Sequence, residues 1–193
     1  MNKTKKMTTR DLALGALLTA LVAVLAYFGG FIKIGGLASI SLTLIPVVLG
    51  SALLGPWAGA WLGAVAGAIF FTTADSAFWM SFSVPGTIIT VMVKGIVSGL
   101  LAGLVYKLLE KYNRYMAVLV SAIVCPVVNT GIFLLGCLVF FMDAVNAGAL
   151  KEGISAGAYM ILFYVGLNFV FEFIANIVVS PAILRLINIR KKK

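Results

Sequence analysis

The chain has 193 residues, 62% of them hydrophobic, with fifteen basic and six acidic residues, a formal net charge of +9 and no histidine; its mean hydropathy is +1.13. One soluble core of this size cannot hide that much apolar surface, so the composition indicates a membrane protein and excludes an ordinary soluble domain. The positive charge does not mark a nucleic-acid binder, because the basic residues sit at the ends of apolar runs, where they orient helices in the bilayer.

Apolar runs bounded by polar or glycine-proline breaks predict six spans, at roughly 12–29, 38–54, 57–72, 84–106, 115–142 and 156–187. The expected fold is a single all-α domain over 1–193, a compact bundle of six transmembrane helices. The basic start and long first run read as a retained first span rather than a cleaved signal peptide, because no small-residue cleavage site ends the run. Ala16 and Ala20 form a small-x-x-x-small pair on that span. The second and third spans are short and are separated only by Gly55-Pro56, which predicts a tight helical hairpin with Pro56 in the first turn of the third helix.

The stretch GPWAGAWLGAVAGAIFF, residues 55–71, places glycine at 55, 59, 63 and 67, and KGIVSGLLAG repeats the interval at Gly95, Gly99 and Gly103. In lipid, helices gain little from hydrophobic force against one another, and close backbone approach through small residues supplies the attraction. Both spans are therefore expected to be packing helices. In the fifth span, Cys125 and Cys137 lie twelve residues apart, which is about 18 Å of helix. They cannot bridge each other and read as small apolar filler; no motif indicates a metal.

Lysine and arginine set the orientation. Lys3, Lys5, Lys6 and Arg10, then Lys107, Lys111 and Arg114, then Arg185, Arg190, Lys191, Lys192 and Lys193 fall on one side of a six-span arrangement, whereas Lys33 and Lys151 fall on the other. The first side is the cytoplasm, which places both termini inside. The outer loops then span 30–37, 73–83 and 143–155. They carry Lys33, then Asp75, Phe78, Trp79 and Phe82, then Asp143, Asn146, Lys151 and Glu152. Trp79 reads either as an interfacial anchor or as part of a site.

Polar groups inside the spans carry more functional information, since an ionised side chain at the bilayer centre costs about 3 kcal/mol even on a lenient insertion scale. Lys94, Asn129, Asn168, Glu172 and Asn176 are such groups, the last three on one face of the sixth span. All except Asn176 fall at comparable depth. One reading pairs Lys94 with Glu172 structurally and uses the asparagines between helices. The other is a ligand pocket with Tyr164, one turn outward of Asn168, as an aromatic wall. The sequence has no nucleotide-binding Walker motif and no GxSxG nucleophile setting, and it is small for a self-sufficient transporter. A binding subunit that borrows energy from partners fits best. An intramembrane enzyme and a self-associating structural bundle are the alternatives.

The basic start, Ala16 and Ala20, the stretch LTLIPVVLGSALLGPWAGAWLGAVAG, the span VKGIVSGLLAGLVYKLLEK and the basic tail resemble the substrate-binding S component of an energy-coupling factor (ECF) vitamin transporter. The most specific element is the hairpin with Pro46, Gly55, Pro56 and Gly59. The resemblance implies six helices with cytoplasmic termini in a prokaryotic plasma membrane, and no enzymatic activity. It also implies partnership with a transmembrane coupling protein and two ATPases, so that ATP is used by the partners and this chain holds no cofactor. Docking of the first helix on the coupling protein would map onto Ala16 and Ala20. The segment CPVVNTGIFLLGCLVFF is similar to pantothenate-type members. On that reading Lys94 or Lys33 meets the carboxylate, while Asn129, Asn168 and Tyr164 bond the remaining groups. The alternative substrate is a pyridoxine or thiamine precursor stacked on Trp79 and Phe82, and a free Glu172 would favour a cation.

Overall fold

The computed structural model describes residues 8–29 and 42–191, except for the side chains of residues 167, 168, 190 and 191. Every regular element among the described residues is helical: α1 (Thr9–Gly29), α2 (Leu44–Leu54), α3 (Pro56–Phe70), α4 (Ala74–Phe82), α5 (Val84–Leu109), α6 (Arg114–Phe140), α7 (Met142–Glu152), α8 (Ala156–Tyr159), a π-helical turn (Met160–Val165) and α9 (Gly166–Lys191). Helices α1, α5 and α6 and the Phe169–Ile189 stretch of α9 are long and apolar enough to cross a membrane. The α3–α4 pair is a fifth candidate, bent by 83° at its break, while α2 and the Ala156–Val165 segment are apolar but shorter. Their outward faces fit lipid rather than water: Leu12, Leu17, Trp57, Trp61, Val139 and Val178 are all more than half exposed.

Local chemistry sets the helix ends. Gly55, at φ +103°, turns the chain between α2 and α3 in a single residue, a conformation that side-chain-bearing residues rarely adopt. Pro56 then opens α3, where a missing N–H costs nothing. The Ser83 side chain caps α5 by accepting from the Gly86 N–H at 3.1 Å. Asn113 caps α6, its side-chain oxygen accepting from the Tyr115 and Met116 N–H groups at 2.8 and 3.2 Å.

The glycine intervals join two neighbouring helices. A Cβ added at Gly63 would fall on the Gly95 carbonyl, one at Gly99 on the Gly59 carbonyl, and one at Gly103 on Pro56. Helices α3 and α5 therefore run antiparallel with backbones in contact, as the sequence pattern anticipates. On the other side of α5, the Ser121 hydroxyl of α6 donates to the Ala102 carbonyl at 2.9 Å, and Gly136 of α6 lies against the Thr90 side chain. Val22, Val47, Leu62, Ala102, Ala122, Cys125 and Ile183 fill one apolar core. Both cysteines are buried free thiols.

Two features depart from the sequence reading. The segments read as loops at 73–83 and 143–155 are largely the short helices α4 and α7. The run at 156–187 is not one continuous helix, because the chain leaves α8 through the π-helical turn and restarts at Gly166, whose φ is +29°. Lys33, the whole 30–37 loop that carries it, and the lysines at 3, 5, 6, 192 and 193 lie outside the described residues.

Candidate functional site

A cavity of about 130 Å³ lies among α1, α2, α3, α4, α5, α6, the π-helical turn and α9. At the roughly 30 Å³ that a water occupies in the liquid, that is room for about four waters. Helix α5 supplies a stripe at helical spacing, Thr87, Thr90, Val91, Lys94, Gly95 and Ser98, which face the cavity together. The approach of α3 through its glycines brings Phe70 within reach of this stripe. Helix α6 adds Asn129, Thr130 and Phe133, and α9 adds Glu172.

Aromatic rings close the end nearest α4. Trp79 is only 5% exposed and meets Phe133, Phe141 and Tyr164 at centroid distances of 5.3, 5.1 and 5.1 Å, all edge-on. Burial on all sides excludes the interfacial-anchor reading of Trp79. The sharp bend between α3 and α4 turns α4 back over the bundle and drives both Trp79 and Asp75 inward, Asp75 being 7% exposed. The π-helical turn does the same for Tyr164, which is 4% exposed and 5.4 Å from the Tyr159 ring. Phe82, by contrast, is 45% exposed and packs on Phe78 at 5.3 Å, so no ligand in this cavity stacks between it and Trp79.

Lys94 is the cationic centre of the cavity wall. Its Nζ lies 5.1 Å from the Phe133 ring centre and 5.7 Å from that of Phe70, within the range of cation–π attraction. Glu172 and Asp75 are near enough to act on the ammonium electrostatically, and both line the same cavity. One ammonium from α5 thus interacts with rings from α3 and α6 and with carboxylates from α4 and α9.

Asn129 is 8% exposed and faces the cavity; among the described residues its amide has no hydrogen-bond partner in the protein. Asn176 differs: its Nδ2 donates to the Glu172 carbonyl at 2.8 Å, a local contact within α9, while its Oδ1 is buried without a hydrogen-bond partner among the described residues. Five of the expected site residues, Trp79, Lys94, Asn129, Tyr164 and Glu172, therefore share one cavity. Asn168 lies on α9, and its side chain is outside the described residues. Asp75, Phe133, Phe141, Thr87 and Thr90 complete the wall without having been singled out as site residues by the sequence. Asp75 carried a findable signal, since it is a charged group between two apolar runs.

Ala16 and Ala20 are remote from this cavity. Both are exposed on α1, on the face opposite the buried Leu18 and Val22, so they do not pack inside the bundle.

The sequence profile of the ECF transporter substrate-specific component matches residues 10–184, nearly the whole chain, and the protein belongs to that family. Membership makes it a substrate-binding subunit of a membrane transporter rather than an enzyme. It also implies work alongside an ECF module of coupling protein and ATPases. No curated protein and no solved structure matches the chain.

Proposed function

We propose that this chain captures a water-soluble vitamin, pantothenate, at the outer face of a prokaryotic plasma membrane and presents it to an ECF module. The cavity is the observation that carries the reading. It joins a cation, an amide with unmet hydrogen-bonding capacity and an aromatic wall inside a family whose members bind substrates for uptake. Lys94 meets the carboxylate of pantothenate, and Asn129, Asn168 and Tyr164 serve its hydroxyl and amide groups. The chain crosses the membrane six times, with α2 and α3 as a short hairpin and both termini in the cytoplasm, where the basic clusters lie. Ala16 and Ala20, exposed on α1, form the face that docks on the coupling protein, and the two partner ATPases hydrolyse the ATP.

A second substrate class is favoured by one observation. Asp75 and Glu172 share the cavity with Lys94, and this excess of carboxylates suits a neutral or cationic ring, such as pyridoxine or a thiamine precursor, against Trp79. Calorimetric titration of the protein in lipid nanodiscs with pantothenate, pyridoxine and the thiamine pyrimidine precursor tests both. Heat with pantothenate alone is expected. Heat only with a ring compound would replace the substrate while leaving the transport role, and no binding of any of them would count against vitamin capture.

A further inference from the structure

Hydroxyls on apolar helices ordinarily bond back to a carbonyl of the preceding turn, since nothing else in hydrocarbon satisfies them. This protein follows that habit repeatedly. Thr19 donates to the Gly15 carbonyl at 2.8 Å, Thr87 to Ser83 at 2.8 Å, Ser98 to Gly95 at 3.1 Å and Ser180 to Ile177 at 2.7 Å. Thr90, on the cavity wall, departs from it. It is 4% exposed, it lines the cavity, and its Oγ1 is buried with no hydrogen-bond partner among the described residues. A buried hydroxyl left this way has lost its hydration without a compensating bond. Thr90 sits one turn from Lys94 on the same stripe of α5 and is held there by Gly136, where any side chain would collide with it.

The register between α5 and α6 fixes how far this hydroxyl lies from Asn129. Thr90 faces Gly136 and Ala102 faces Ser121, so Asn129 falls opposite the stretch around residues 95–97. Thr90 is then about six residues further toward α4, or roughly 9 Å along the helix at the α-helical rise. Lys94 lies between the two. The charged members of the wall already act on one another, whereas Thr90 and Asn129 are neutral groups without hydrogen-bond partners among the described residues, separated along the axis of the cavity.

We infer that Thr90 is a specificity-determining residue, whose hydroxyl bonds a neutral group of the ligand on the α4 side of Lys94 while Asn129 bonds a second one. The ligand class is a polar molecule carrying at least two neutral hydrogen-bonding groups, hydroxyl or amide. This rests on the cavity being the vitamin site. The methyl and the hydroxyl of Thr90 both lie against Gly136, so engagement of a ligand requires a change of rotamer about Cα–Cβ that carries the oxygen away from Gly136 toward the cavity.

Thr90→Val tests it, because valine keeps the shape and removes only the hydroxyl. Pantothenate and pyridoxine are titrated into the parent, Thr90→Val and Thr90→Ser proteins in nanodiscs, with thermal unfolding measured on each. Whichever compound binds the parent is expected to bind Thr90→Val about 3- to 10-fold more weakly. Thr90→Ser should retain affinity, and Thr90→Val should unfold no earlier than the parent, since it loses an unsatisfied group. Equal affinity of parent and Thr90→Val would overturn the role of Thr90 while leaving vitamin capture intact. Failure of both compounds to bind the parent would overturn both.

Discussion

The Gly95 carbonyl occupies the space that a side chain at residue 63 would need. The same holds in reverse for Gly95 against the Gly63 backbone, so the two glycines seat α3 on α5 and thereby set the width of the cavity beside Lys94.

Gly63→Leu is accordingly expected to force α3 away from α5 and to lower both folding yield and thermal stability in detergent, by at least the 1–3 kcal/mol typical of overpacking. Gly131→Ala is the matched control. A Cβ there meets nothing within 4 Å, and alanine gains up to about 1 kcal/mol of helix propensity. Equal unfolding temperatures for Gly63→Leu and the parent would show that the contact carries little of the fold's stability.

Ala16 and Ala20 give a prediction with the opposite sense. Because both point away from the core, replacing them with leucine should leave ligand affinity and unfolding temperature close to those of the parent. Uptake by the assembled transporter should fall severalfold as close approach to the coupling protein is lost. Parallel measurement of binding by the isolated subunit and uptake by the complex separates the effects; equal loss in both would place these alanines in the internal fold.

The glycine seam was legible in the sequence because it depends only on residue size at a fixed interval, and the hairpin at Gly55-Pro56 because both residues have narrow conformational preferences. The depth of Lys94, Asn129 and Glu172 could be counted from the span ends, and the three do share a cavity. What the sequence concealed depends on tertiary direction. FFTTADSAFW reads as a polar loop, and nothing local reveals the 83° bend that buries Asp75 and Trp79. The segment from Ala156 to Val165 is as apolar as the helix after it, so its break at Gly166 was invisible to hydropathy. Thr87 and Thr90 are alike locally. Only the packing of Gly136 and the missing acceptor distinguish them.

The two buried asparagines should separate cleanly in mutagenesis. Asn129→Ala removes an amide with no protein partner among the described residues, so ligand affinity is expected to fall by about 1–3 kcal/mol, or roughly 5-fold to more than 100-fold, with little change in stability. Asn176→Ala breaks the contact with the Glu172 carbonyl and should instead lower the unfolding temperature with modest effect on affinity. Thermal unfolding alongside calorimetric titration reads both, and an exchange of the two patterns would refute the assignment of Asn129 to the ligand.

Lys94 stands where the structural and ligand-binding readings compete. Its ammonium is attracted to Phe70, Phe133, Glu172 and Asp75, so Lys94→Met leaves buried carboxylates without their nearby cation and is expected to destabilise the protein by about 3–5 kcal/mol. Pantothenate binding should disappear as well, and that loss alone decides nothing because a damaged cavity would also bind poorly. The double variant Lys94→Met/Glu172→Gln resolves it. Removing one carboxylate charge together with the ammonium should restore part of the stability, since the electrostatic imbalance shrinks. If Lys94 also meets the ligand's carboxylate, the double variant should regain stability but not pantothenate affinity. If Lys94 serves only to hold α3, α4, α6 and α9 around α5, affinity should return with stability. A pyridoxine-binding parent gives a third outcome: its neutral ligand should bind the double variant nearly as well as the parent, which would move the substrate assignment to the ring compounds while keeping the cavity as the site.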